Sequence, residues 1–117
     1  MESPSSLFEK CLNYTLSQSN EMVRRLAKVQ NDASIELENI RVHQTMDGPK
    51  IQDITNSSSS VIQDAKETVH LIEELLKEVK SIDDDVRSQS EGTISFLYDC
   101  IWYAEQSVKE LFEVYMA

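Results

Sequence analysis

Between Val61 and Val86 the side chains that favour burial fall alternately four and three residues apart: Val61, Ala65, Thr68, Ile72, Leu75, Val79, Ile82, Val86. A mean spacing of about 3.5 residues predicts a helix whose seam faces another helix. In a strand the side chains alternate faces, so this row would be split between core and solvent. A flanking row of Ile62, Val69 and Leu76 makes the stripe wider than a two-stranded seam needs. More than two helices are therefore expected to meet here. Two further rows repeat the pattern. One is Leu12, Leu16, Val23, Leu26, Ala33, Leu37 and Ile40, widened by Met22, Val29 and Ile35. The other is Ile94, Leu97, Ile101, Ala104, Val108, Leu111 and Tyr115, offset in phase from the central row. Two glycines and two prolines in 117 residues could not punctuate a sheet of several strands. The expected fold class is all-α: a long helical hairpin or coiled coil with a C-terminal aromatic-rich helix, elongated, and part of a multi-helix bundle with partner chains.

Local signals set the expected boundaries of a single coiled-coil module spanning 1–117. Ser6 and Glu9 have capping-box spacing, and the first helix is read over about 6–45. Gly48, suited to a left-handed closing conformation, and Pro49 end it. Four consecutive serines, Ser57 to Ser60, favour a loop over about 46–59. Ser60 and Gln63 form a second capping-box pair opening a helix over about 60–89. The phase slip at "RSQSEGT" predicts either a break near Gly92 or a continuation through a stutter, with the last helix over about 92–116.

The formal net charge is −10, with −1 on residues 1–46 and −9 on residues 47–117. Such a chain repels phosphate backbones and anionic bilayers, so direct nucleic-acid partners and adsorption to acidic membranes are excluded. No apolar run reaches the ~20 residues that span a bilayer, and "MESPSSLFEK" lacks the features of a signal peptide. Cys11 and Cys100 are expected to be reduced and buried. These features predict a cytoplasmic location, including the cytosolic face of organelles, with the nucleus as the alternative.

Catalytic and metal-binding patterns are weak. "ETVH" (Glu67 to His70) has the spacing of half a di-iron site, but such a site needs a second copy and two further glutamates. The carboxylates of Asp83, Asp84 and Asp85 point about 100° apart on a helix and do not converge on one ion. Neither cysteine has a histidine neighbour in sequence to activate it. No catalytic residue, metal ligand, cofactor or small-molecule substrate is assigned. Arg24, Arg25 and Lys28 form the one basic cluster, suited either to solvent or to an acidic surface such as the second helix.

Six of the eight aromatic residues lie in "SFLYDCIWYAEQSVKELFEVYMA". Each can bury ~150–250 Å², more in sum than a monomer commonly leaves exposed. Around the last helix Ile94, Leu97, Ile101, Ala104, Val108 and Leu111 share one face, and Phe96, Cys100, Tyr103 and Val114 an adjacent one. Trp102 falls with Tyr98, Glu105 and Lys109 on the expected solvent side. The expected partner interface comprises Val79, Ile82, Val86, Ile94, Leu97, Tyr98, Ile101, Trp102, Val108, Leu111 and Phe112. Its expected occupants are other helical protein chains, in a hetero-oligomer rather than a homodimer.

The segment "LLKEVKSIDDDVR" resembles the Lys-x-Asp-Leu segment of one subunit of the BLOC/BORC group, through Ser81, Ile82, Val86 and Arg87. "LKEV" (Leu76 to Val79) stands where the defining motif would be. "QSEGTI" is similar to part of another subunit of the group. The resemblance covers about a fifth of the chain. It implies a non-catalytic scaffold subunit with helical partners, acting in endosome or lysosome positioning or trafficking. A kinetochore or spindle coiled-coil subunit is the alternative within the same class. A small helical metal-binding protein or enzyme is an alternative of another class, and a self-sufficient three-helix adaptor domain is a third.

Overall fold

The three apolar stripes become three helices that close on one another. The computed structural model describes residues 4–79 and 82–117, with side chains from Leu7 onward. Among the described residues the elements are α1 (Pro4–Arg41), α2 (Gly48–Glu78) and α3 (Asp84–Met116), with no strand. The chain runs up, down and up, so α1 and α3 are parallel. The rod measures 62 × 22 × 17 Å, and its length is close to the ~57 Å that the 38 residues of α1 would span alone.

Each helix packs against both others, so the core has the three-sided form that the wide central stripe predicts. Its larger part joins Leu12, Leu26 and Val29 of α1, Ala65, Val69, Ile72 and Leu75 of α2, and Leu97, Ile101 and Ala104 of α3. A second cluster near the α1–α2 turn joins Ala33, Ile51, Ile54 and Leu111, with Leu37, Ile40 and Tyr115 packed around it. There the buried Glu36 carboxylate is held by Lys50 Nζ at 3.1 Å.

Several expected boundaries move. α1 ends at Arg41 instead of about Thr45, and the left-handed residue of the turn is Gln44 (φ 54°), not Gly48. The Thr45 amide donates to the Asn39 carbonyl at 3.0 Å, closing the helix end. The loop expected over 46–59 is helical from Gly48. Asp47 caps α2 by accepting from the Lys50 amide at 3.1 Å, and Pro49 lies in the first turn, where its missing N–H costs nothing. The serines stay helical because their hydroxyls turn back on the helix: Ser57 donates to the Ile54 carbonyl and Ser58 to the Thr55 carbonyl. Ser58 is buried. Ser60 therefore lies inside α2 and caps nothing, and Gln63 donates instead to Glu67. The Ser6 capping box involves a side chain outside the described residues.

The second break lies between the end of α2 at Glu78 and the start of α3 at Asp84, not at Gly92. Val79 closes α2 with its amide on the Leu75 carbonyl at 3.1 Å. The Arg87 guanidinium donates across the corner to the Val79 carbonyl at 3.3 Å. Asp83 then caps α3, accepting from the Asp85 amide at 2.8 Å, and Asp84 and Asp85 sit in the first turn, where the helix dipole favours anions. α3 runs unbroken through Gly92, beside which a Cβ would meet nothing within 4 Å.

Candidate protein-docking face

The fold divides the expected partner interface into two groups. Val79, Leu97, Ile101 and Leu111 are buried within the chain itself, and Ile82, Val86, Ile94 and Val108 pack against the same core. These eight serve internal packing, and Ile101 and Val108 also line the groove between α2 and α3. The reason is that α3 packs back along α2, so the seams expected to need another chain meet each other. Tyr98, Trp102 and Phe112 form the second group and remain exposed by 50%, 56% and 42%.

Helical geometry explains the split. Tyr98, Trp102, Glu105, Lys109, Phe112 and Met116 recur at four- and three-residue intervals, which places them along the flank of α3 beside α2. The opposite flank, beside α1, carries Phe96 and Tyr103, exposed by 55% and 54%. Sequence periodicity assigned Phe96 and Tyr103 to a covered face. Both rings nonetheless stand outside. Arg41 of α1 bonds Glu110 of α3 at 2.9 Å, which fixes this side of α3 as the one facing α1. Across the crest, the Trp102 and Tyr103 rings meet edge to face at 5.1 Å.

Between α2 and α3 lies a groove of about 590 Å³, formed by Lys66, His70 and Glu73 on one wall and Tyr98, Asp99, Trp102 and Glu105 on the other, with Ile101 also lining it. The Tyr98 hydroxyl donates to Glu73 Oε1 at 2.9 Å, and Lys66 Nζ lies 3.5 Å from Glu105 Oε2. The bond to Glu73 holds the Tyr98 phenol above its ordinary pKa, with local desolvation and the carboxylate charge adding to it, so the phenol stays a donor. Beyond Glu105 the channel continues as a shallower recess of about 310 Å³ between Ile62, Ser59 and Thr55 of α2 and Val108, Lys109 and Phe112 of α3. Tyr98 and Phe112 are fourteen positions apart, about 21 Å along the axis.

The other residues singled out in the sequence fall elsewhere. Arg25 bonds Asp64 of α2 at 3.1 Å, so one member of the basic cluster does meet the second helix. Arg24 pairs with Glu21, and Lys28 with Asp32 at 2.7 Å, both within α1. Cys11 is exposed, not buried. Cys100 is half-buried, and burial followed by the Asp99 charge pushes its thiol pKa up. Among the described residues no group of three or more His, Cys, Asp or Glu side chains is placed to hold a metal ion. Nor is any described helix long and apolar enough to cross a membrane.

The sequence reading missed Lys66, Glu73 and Asp99 as part of this face. Glu73 and Asp99 come together only because α2 and α3 are antiparallel neighbours, a relation that helical periodicity within each segment does not carry. No protein-family model, curated protein or solved structure matches the chain.

Proposed function

We propose that this chain is a non-catalytic helical scaffold subunit that docks other helical chains into a multi-protein complex. The observation that carries the reading is the outer flank of α3. Tyr98, Trp102 and Phe112 stand half-exposed on a bundle whose own stripes are already satisfied. A tryptophan and a tyrosine on the wall of a groove have the composition of interface anchors, which contribute most of the binding energy at protein contacts. The closed core favours a subunit that folds first and docks afterwards. The resemblance at Leu76 to Arg87, a segment that forms the α2–α3 corner, supports a role on the cytosolic face of endosomes or lysosomes.

The test is affinity purification of the tagged chain from its native cell, beside a Tyr98→Ala/Trp102→Ala variant. The reading expects helical proteins to co-purify with the parent chain in fixed ratio and to be lost with the variant, while circular dichroism of the two stays the same. Equal recovery with both would overturn it.

A further inference from the structure

The docking reading leaves open what sort of chain lies in the α2–α3 groove, and the groove's own chemistry narrows the answer. Three carboxylates, Glu73, Asp99 and Glu105, line it against Lys66, and the recess beyond Glu105 adds Lys109; leaving His70 out of the count, the excess is two negative charges around Trp102 and one over the whole channel. Glu105 is already paired with Lys66 and Glu73 accepts from Tyr98, yet each carboxylate has lone pairs to spare. The walls above them are the indole of Trp102 and the phenol of Tyr98, whose faces attract cations. The floor is apolar, made by Ile101 and, further along, by Ile62 and Val108.

From this combination we infer that the α2–α3 groove receives an amphipathic helix of a partner protein, whose apolar stripe lies on Ile62, Val108 and Phe112 and whose lysine or arginine side chains reach Glu73 and Asp99 past Trp102. The proposal rests on the docking reading above and adds the class of its occupant. The length suits a helix: about 21 Å between Tyr98 and Phe112 is four helical turns. A fourth helix laid there would convert three helices into a four-helix bundle, a common closed arrangement for amphipathic helices. The charge disfavours the other candidates. A second copy would bring another net −10 to the contact. A nucleic acid or an anionic bilayer would bring phosphates to the carboxylates. A helix bordered by Lys or Arg has the opposite sign and an apolar face to match.

Trp102 is the only tryptophan, so its fluorescence reports the groove directly in the intact chain. The probe is a tryptophan-free helical peptide of about 18 residues, with leucines along one face and lysines and arginines along its borders. A second peptide carries glutamate in place of every lysine and arginine. At near-physiological salt the basic peptide is expected to shift Trp102 emission to the blue and saturate, and the acidic one to leave it unchanged.

Glu73→Gln/Asp99→Asn should weaken the basic peptide about tenfold, as removal of paired charges at an interface does. Glu38→Gln/Asp53→Asn removes the same charge from exposed positions that line neither the groove nor its recess and should change affinity by less than about twofold, since screened charges outside the contact count for little. Equal binding of both peptides, or equal weakening by both double variants, would overturn the inference. So would concentration-dependent dimerisation in sedimentation that shifts Trp102 emission with no peptide present, because a second copy would then be the occupant. Loss of cellular partners from Tyr98→Ala/Trp102→Ala together with any of these results would keep the docking reading and remove only the basic helix.

Discussion

Along α3 an aliphatic stripe and an aromatic one have opposite fates. The inner one, Leu97, Ile101, Ala104 and Leu111, is at most 3% exposed, and the outer one, Tyr98, Trp102 and Phe112, is 42–56% exposed. They belong to one helix and interleave in sequence, so hydrophobicity does not separate them. What separates them is angle. A helix in a three-helix bundle touches neighbours over less than half its circumference, and α3 is apolar or aromatic over more than that. The inner stripe contributes stability by leaving water. The outer stripe has aromatic surface left over, and on a monomer such surface is characteristic of an interaction site.

The largest effect that would sharpen this contrast is truncation within the inner stripe. Leu97→Ala removes a fully buried side chain and should lower the free energy of unfolding by about 2–5 kcal/mol, read by urea denaturation. A loss below about 1 kcal/mol would mean that the inner stripe is not the core described above. Next is Trp102→Ala, expected to weaken partner binding by about 2 kcal/mol or more, as a truncated interface anchor does. Its melting curve should stay close to that of the parent chain, and a large drop in stability would erase the distinction between the stripes.

A smaller effect is expected on the outer side at Gly92. It is exposed inside α3, and an added methyl group has open space, so Gly92→Ala should stabilise the chain by about 1 kcal/mol. A destabilised Gly92→Ala would show that α3 bends or parts there. The smallest effect is a difference in rate. Burial and Asp99 raise the Cys100 pKa, so at pH 8 less of it is thiolate than of a free thiol, while Cys11 is exposed. Peptide mapping after brief alkylation should find Cys11 labelled first, and the lag of Cys100 should shrink as pH rises.

The all-helical class and the extended shape were legible because period and punctuation agree: three rows at helical spacing, and almost no glycine or proline between them. Leu12, Leu26, Ile72, Leu97 and Leu111 are buried as their spacing implies. The turns were harder, because the residues there carry signals of both signs. Pro49 ends a helix when read from the left and opens one when read from the right, and Asp47 before it decides for opening. Asp83 to Asp85 are exposed, but their spacing alone did not show that they cap and open α3. The heptad spacing continues through Val79, Ile82 and Val86 although α2 ends at Glu78 and α3 begins at Asp84, since apolar side chains on both sides of the break join the same core. Trp102 and Tyr98 could be placed on an outer face from spacing alone. Their groove could not, because Glu73 and Lys66 reach it only through tertiary packing.

The odd number of helices has a mechanical consequence. Tyr115 lies against Gly48 at one end of the rod, and Ile82 and Val86 lie beside Glu9 and Asn13 at the other. The start of α1 and the finish of α3 are thus at opposite ends of a 62 Å body. A pull between them runs parallel to every helix axis. The interlocked stripes must then slide past one another together, in shear, instead of peeling apart one turn at a time as they would in a hairpin whose two ends lie side by side. Loaded along its length, the bundle resists as one body, with the packed face between α1 and α3 carrying the shear.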